Sequence, residues 1–261
     1  MSEIVEGKNS VLELLKSGKP VNRVLLMAGA KSDTTLSEIF KLAKAKGVVI
    51  ELADRRLLER KSATGKHQGV IAYTSPHEYC EVEDILEEAK KKNEKPLIVL
   101  LDGIEDPQNL GAIVRTAECS GAHGVVIPKR RAAPLTAAVS SASAGAIEYV
   151  KVARVPNITE AIEKLKDKGV WVVGIEAGQD KKYDEVDFTL PTAIVIGSEG
   201  EGLSHLVKER CEVLASIPLK GKISSLNASV AAAVVLYEAV RQRSNPASLP
   251  AGLPAAGGQA G

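Results

Sequence analysis

LIVLLDGIEDPQNLGAIVRTAECSGAHGVVI, residues 97–127, decides the fold. Its first six residues form a near-continuous apolar run ending on Asp102, the pattern of a parallel strand buried on both faces. Asp106-Pro107 turns the chain, Asn109 is placed to cap a helix running to about Ser120, and Gly121 suits the C-terminal cap of that helix. Gly124-Val125-Val126-Ile127 then reads as a second strand. Strand, helix and strand in this order are the repeating unit of an α/β fold.

Toward the C-terminus the alternation continues. Further strands are expected at Tyr149–Val152, Val170–Ile175 and Ala193–Ile196, with helical patterns between them, so residues 97–245 form an open, mostly parallel sheet with helices on both faces. After Arg243 the sequence SNPASLPAGLPAAGGQAG is rich in Pro, Gly and Ala, uncharged and without periodicity, and residues 246–261 are expected to be a disordered tail. Toward the N-terminus, Pro76 and Pro96 bracket a polar, helix-prone stretch, read as a linker (76–96) carrying one exposed helix. Before it, Val11, Leu12, Leu14 and Leu15 mark a short amphipathic helix. Leu36, Ile39, Phe40, Leu42 and Ala43 mark another. Val24–Met27, Val48–Ile50 and Gly69–Tyr73 read as strands, making residues 1–75 a small α/β domain.

Composition limits the functions available. Aromatic residues make up 3% of the chain, so the core is built from Val, Ile, Leu and Ala, which weakens any model of nucleic-acid binding that needs a wall of stacking rings. Lys+Arg number 34 against 33 Asp+Glu, but residues 1–75 hold 13 basic and 8 acidic residues. Such an excess attracts phosphates, although on charge alone a solvated Lys-rich surface is the simpler reading. Cys80, Cys119 and Cys211 show no paired spacing and no Cys/His cluster, which points away from zinc and toward a reducing cytoplasm. The N-terminus lacks the apolar stretch of a signal peptide, and no uncharged apolar run is long enough to span a bilayer. A cytoplasmic protein without a bound metal is expected.

Three segments carry chemistry. In the first, Arg115 follows Asn109 by six residues and precedes Glu118 by one turn; locally this is equally a capped helix with a surface Arg–Glu pair. In the second, IVIGSEGEGLS (194–204), a buried strand runs into Gly197-Ser198-Glu199-Gly200-Glu201-Gly202, where glycines let backbone approach a ligand or simply make a turn. It is neither a dinucleotide fingerprint nor a P-loop. In the third, IPLKGKISSLNASVAAAVVLYEAVRQR (217–243), an extended piece and a Lys-Gly-Lys turn lead to Ser224-Ser225-Leu226-Asn227 and a helix from about Ala228 to Arg243. Its small early residues also suit a buried core helix.

Together these segments closely resemble the three motifs of the SpoU (TrmH-type) branch of the SPOUT RNA 2′-O-ribose methyltransferases, from Leu97 to Arg243. EGKNSVLELL (6–15) and GKHQGVIA (65–72) resemble the small substrate-binding domain attached in the 23S rRNA guanosine 2′-O-methyltransferase group. The resemblance implies an α/β sheet closed by a trefoil knot, a homodimer with its site at the subunit interface, and S-adenosylmethionine contacted by Gly197, Ile217 and Leu226. It implies a catalytic set of Arg115, Asn109, Glu199, Ser225 and Asn227. Arg115 is the family's base; because its pKa exceeds about 12, a cationic role orienting a phosphate and stabilising the developing oxyanion is physically preferred. Asn109 would orient Arg115 or the ribose, Glu199 would hold a basic group or the guanine edge, and Ser225 and Asn227 would organise the site. RNA would be delivered by Arg55, Arg56, Arg60, Lys61, Lys66 and His67, with Lys129, Arg130 and Arg131 as a second basic cluster beside the site. The alternatives are the same chemistry on a tRNA guanosine, or a non-catalytic RNA-binding protein of the same fold. An oxidoreductase is disfavoured by the missing dinucleotide fingerprint.

Overall fold

A computed structural model describes residues 3–29, 34–74 and 77–245; the expected tail at 246–261 lies outside the described residues. In chain order the elements are β1 (Glu3–Glu6), α1 (Lys8–Ser17), β2 (Val21–Met27), α2 (Thr34–Ala45), β3 (Val49–Ala53), α3 (Arg55–Lys61) and β4 (Val70–Thr74). Next come α4 (Val82–Lys91), β5 (Leu97–Asp102), α5 (Pro107–Cys119), β6 (Gly124–Pro128), α6 (Ala137–Ala142), β7 (Lys151–Val155), α7 (Ile158–Lys166) and β8 (Trp171–Ile175). The chain closes with β9 (Thr192–Gly197), α8 (His205–Arg210), β10 (Val213–Ala215) and α9 (Ala228–Ser244). These elements divide into two compact units. The first is built from the chain up to Tyr79 with Glu105–Glu118 and Ala133–Lys151, the second from Cys80–Ile104, Cys119–Ala132 and Val152 onward.

The first unit holds a four-stranded sheet in the order β1-β4-β2-β3, with β4 antiparallel to β1 and β2 and β2 parallel to β3. Successive strand residues point to opposite faces, and both faces are covered. Val24, Val70 and Ala72 pack with Val11, Leu14 and Leu15 of α1 and Ile39 of α2. Leu25 and Ile71, one residue along, pack with Leu58 of α3. In the same unit α5 and α6 meet closely at Gly111, where an added Cβ would lie 2.4 Å from Ala142 Cβ and 2.9 Å from Ser143 N.

The second unit is a six-stranded sheet in the order β10-β8-β9-β5-β6-β7, with β10–β8, β8–β9, β9–β5 and β5–β6 all parallel. Ile98, Leu100, Val126, Val172 and Val195 form one core with Ile158, Ile162 and Leu165 of α7 and Val82 and Ile85 of α4. Each such fully buried aliphatic side chain contributes roughly 1.5–3 kcal/mol. The helix expected as the exposed element of a linker therefore has a buried face, with Ile85 fully enclosed against Gly124. The strand expected at 149–152 begins at Lys151, after a single 3-10 turn at Ala146–Glu148. At the amino ends of the strands, Leu97 N donates to His123 Nδ1 (3.0 Å), His123 N donates to Leu97 O (2.8 Å), and His123 Nε2 meets Glu94 Oε2 at 3.0 Å. Nearby, the Arg243 guanidinium donates to the carbonyls of Lys95, Pro96, Phe188 and Leu190, fixing the end of α9.

This topology places the ligand crevice. From β5 the chain moves toward β6, and from the neighbouring β9 it moves toward β10, on the opposite side. Where neighbouring strands send their connections in opposite directions, a cleft opens at their carboxyl ends.

Candidate active site

A cavity of ≈ 390 Å³ lies at that end of the second unit. One wall is the loop after β9. Ser198 N donates to Gly202 O (3.1 Å) and Gly202 N donates to Ser198 O (3.0 Å), closing a tight turn over Glu199, Gly200 and Glu201. Glycine is required at its base: a Cβ on Gly197 would lie 2.2 Å from the Gly202 carbonyl carbon and 2.5 Å from Leu203 N. The opposite wall is the segment leading into α9, with Ile217, Leu219, Ser224, Ser225 and Leu226. Ala228 and Ala231, the small first-turn residues of α9, close the floor between them.

Asn227 joins the two walls. Its Oδ1 accepts from Ser229 N (2.9 Å) and Val230 N (3.3 Å), which makes it the N-cap of α9. Its Nδ2 donates to Glu199 Oε1 at 2.5 Å. The residue that starts the helix thus also holds the loop. A second brace was not anticipated from the sequence. Glu176, just past β8, lines the cavity, accepts from Leu203 N (3.0 Å) and pairs with Lys208 Nζ (2.7 Å). Its only local signal is a carboxylate at a strand end; its partners lie 27 and 32 residues away. Asp102, at the end of β5, likewise accepts from Ser204 N (2.7 Å).

Of the expected site residues, Gly197, Glu199, Ile217, Ser225 and Leu226 share this one cavity, with Asn227 bonded to Glu199. From the basic cluster at 129–131, Arg131 reaches the glycine loop and pairs with Glu201 (2.7 Å). Arg115 and Asn109 sit on α5, in the first unit. The cap of α5 is Asp106, whose Oδ1 accepts from Gln108 N (3.0 Å), with Pro107 at the first helical position, so Asn109 lies inside the first turn. Arg115 is exposed and makes no hydrogen bond or ion pair among the described residues, to Asn109 or to Glu118. Six helical residues turn through about 600°, setting Asn109 and Arg115 about 120° apart around the axis. Among the N-terminal candidates, Arg55 pairs with Glu59 (2.7 Å), while Arg56, Arg60 and Lys61 of α3 are exposed. Burial pushes the Cys211 thiol up to about 12, which removes it as a nucleophile. Among the described residues no His, Cys, Asp or Glu cluster suits a metal, and no helix is long and apolar enough to cross a membrane.

Comparison with known proteins agrees with this geometry. A profile described as the SpoU rRNA Methylase family matches residues 96–237, and one described as RNA 2′-O ribose methyltransferase substrate binding matches residues 4–80. YacO of Bacillus subtilis strain 168, named as a member of the TrmH family of tRNA/rRNA methyltransferases, is 46% identical over 244 residues, covering 94% of this chain and 97% of its own. The SpoU methyltransferase AviRb of Streptomyces viridochromogenes has a crystal structure superposing with a TM-score of 0.78 at 27% identity, covering 94% of this chain and 91% of that one. A second AviRb structure, in complex with the cofactor AdoMet, superposes with a TM-score of 0.76 at 28% identity over the same shares. Fold, cavity and relatives define an S-adenosylmethionine-dependent RNA methyltransferase. More particularly, the chain belongs to the SpoU rRNA methylase family.

The residues present fit the cofactor. Backbone of the glycine turn approaches Gly197 so closely that no Cβ fits there, which leaves main-chain groups rather than a side chain at that edge of the cavity. Ile217, Leu219 and Leu226 offer an apolar wall for a purine, and the Glu199 carboxylate on the same lining is complementary to a sulfonium, while those of Glu176 and Glu201 are paired with Lys208 and Arg131.

Proposed function

We propose that this protein methylates the ribose 2′-hydroxyl of a guanosine in 23S rRNA, working as a homodimer in the cytoplasm. The observation that carries the reading is the convergence of the glycine turn and the Ser-Leu-Asn turn on one cavity. The N-terminal segment that resembles the 23S rRNA group favours ribosomal RNA.

S-adenosylmethionine supplies an electrophilic methyl on a sulfonium. The protein's residues do the rest. Backbone at Gly197, Ile217 and Leu226 binds the cofactor, and Glu199, held by Asn227, keeps the loop closed over it. Ser225 shapes the turn opposite. Arg115 remains cationic, grips a phosphate of the RNA and stabilises the oxyanion that develops as the 2′-hydroxyl gives up its proton to water. Its exposure and its lack of a partner among the described residues suit an incoming ligand. Asn109, on a different side of α5, orients the ribose. A C-terminal portion threaded through a loop, as in the family's trefoil knot, belongs to the same reading.

Incubation with methyl-labelled cofactor and either 23S rRNA or tRNA, followed by nucleoside analysis, tests it. The expected product is 2′-O-methylguanosine from 23S rRNA. Labelled tRNA guanosine would move the substrate to the tRNA alternative. Absence of cofactor binding in calorimetry would favour the RNA-binding alternative, and intact cofactor binding without transfer to either RNA would count against this reading. Arg115→Lys is expected to lower the rate of transfer at least about 100-fold while leaving cofactor affinity intact, because an ammonium cannot reproduce the planar fork.

A further inference from the structure

A second cavity, of ≈ 340 Å³, lies wholly within the first unit. Asn9, Thr64, Lys66, Gln68, Gln108 and Ser141 give it a polar lining. Among the described residues no carboxylate and no aromatic ring lines it, and Lys66 is its one cation. The side chains of Asn9, Lys66, Gln108 and Ser141 make no hydrogen bond or ion pair among the described residues, so their donors are open to a ligand.

The loop that presents Lys66 and Gln68 is braced from beneath. Glu6, with 0% exposure, accepts from Thr64 N (2.6 Å) and from Ser62 Oγ. Ser62 Oγ accepts in turn from Gly65 N (2.8 Å), and Gln68 Oε1 accepts from Lys8 N (3.1 Å). Two non-glycine residues lining the cavity occupy the left-handed region, Gln68 at φ 51 and Ala144 at φ 52. Such conformations cost of order 1–3 kcal/mol each and persist where the surroundings impose them. A surface loop so restrained is pre-organised for binding.

Its chemistry selects the ligand. One cation among neutral amides and hydroxyls matches one negative charge flanked by hydroxyls and base edges. A polyphosphate would need more charge, and a stacked base would need a ring. Gln108 also lies seven residues before Arg115, two turns along the same face of α5, about 10.5 Å along the axis.

We propose that this cavity holds one sugar–phosphate unit of the RNA, a close neighbour along the strand of the nucleotide whose ribose is methylated. Lys66 takes the phosphate, and the amides of Asn9, Gln68 and Gln108 take ribose hydroxyls or base edge. Glu6 is the positioning residue that sets the loop. The proposal rests on the reading of the protein as a 23S rRNA methyltransferase.

The test uses the full-length protein, a 23S rRNA transcript and labelled cofactor. Lys66→Ala and Gln108→Ala are each expected to raise KM for RNA about tenfold, with kcat within about twofold and cofactor affinity by calorimetry unchanged. Lys66→Ala should also reduce the salt dependence of RNA binding by about one unit of log–log slope. Glu6→Gln, which keeps the shape but weakens the brace, should shift KM in the same direction by less. Lys46→Ala, removing an exposed lysine outside the cavity, should change neither constant. Wild type that methylates the transcript while both cavity variants keep its KM overturns the proposal, as does an equal loss in Lys46→Ala, which would mean diffuse charge. Wild type that binds the transcript without methylating it defeats the substrate assignment instead. The cavity then stands or falls on the ratio of RNA affinities, wild type to Lys66→Ala and Gln108→Ala.

Discussion

Gly197 and Gly111 lack side chains for the same reason, close approach of another stretch of backbone, but with different consequences. At Gly197 the neighbour is the turn that walls the candidate cofactor cavity, and a methyl group has no room without opening that turn. Gly197→Ala is expected to lose cofactor binding in calorimetry and about 1–3 kcal/mol of stability in urea unfolding. At Gly111 the neighbours are Ala142 and the backbone of α6. Gly111→Ala should cost a similar 1–3 kcal/mol by overpacking, yet leave cofactor affinity near wild type, since the cavity lies in the other unit. Retained full stability in either variant would show that the backbone yields more easily than its packing indicates.

At the level of elements, His123 offers a pH test. Its Nδ1 accepts from Leu97 N, so it functions as a neutral imidazole, and burial holds its pKa below the usual range despite Glu94. Lys92 and Arg243 oppose its protonation further. With a folded-state pKa below the unfolded one, the unfolded chain takes up the proton first. The stabilisation is complete above the unfolded value of about 6.5 and is lost as pH falls through the folded-state value. Melting temperatures measured between pH 7.5 and 5 should fall, with a shallower fall in His123→Gln. An equal fall in both would assign the acid sensitivity elsewhere. The parallel strands were legible because β5, β6, β8 and β9 are apolar runs, and α9 because Asn227 is a strong cap. Elements such as α3, α6, α8 and β10 have seven residues or fewer, too short for a period to declare itself. The Asn109 cap was misplaced because Asp106-Pro107 already supplies both cap and first helical residue. The lining of the candidate cavity was legible where it is local, at Gly197, Leu226 and the Asn227 cap beside them. Glu176 and Glu6 stayed hidden because their roles depend on partners far along the chain.

For the whole molecule, the outer surface of α9 bears on assembly. Val230 is 46% exposed and Tyr237 54%, seven residues on along the same helix face, and Ile223 just before the helix is 76% exposed. Apolar side chains of that size in a row suit a second copy of the chain. The paired substitution Val230→Glu, Tyr237→Glu should convert a dimer to a monomer in light scattering and abolish methyl transfer; a monomeric wild type would remove the dimer from the proposal. The same helix is clamped at its other end, where the Arg243 guanidinium is spent on four carbonyls. A rigid rod of seventeen residues, about 25 Å long, cannot shift at its base without shifting at its tip, and the tip carries Asn227 and the alanine floor. The width of the candidate cavity is therefore governed from the amino ends of β5 and β9, the far end of the sheet's central strands. Damage at Arg243 should surface as a slacker grip on the methyl donor, with every residue touching that donor left in place.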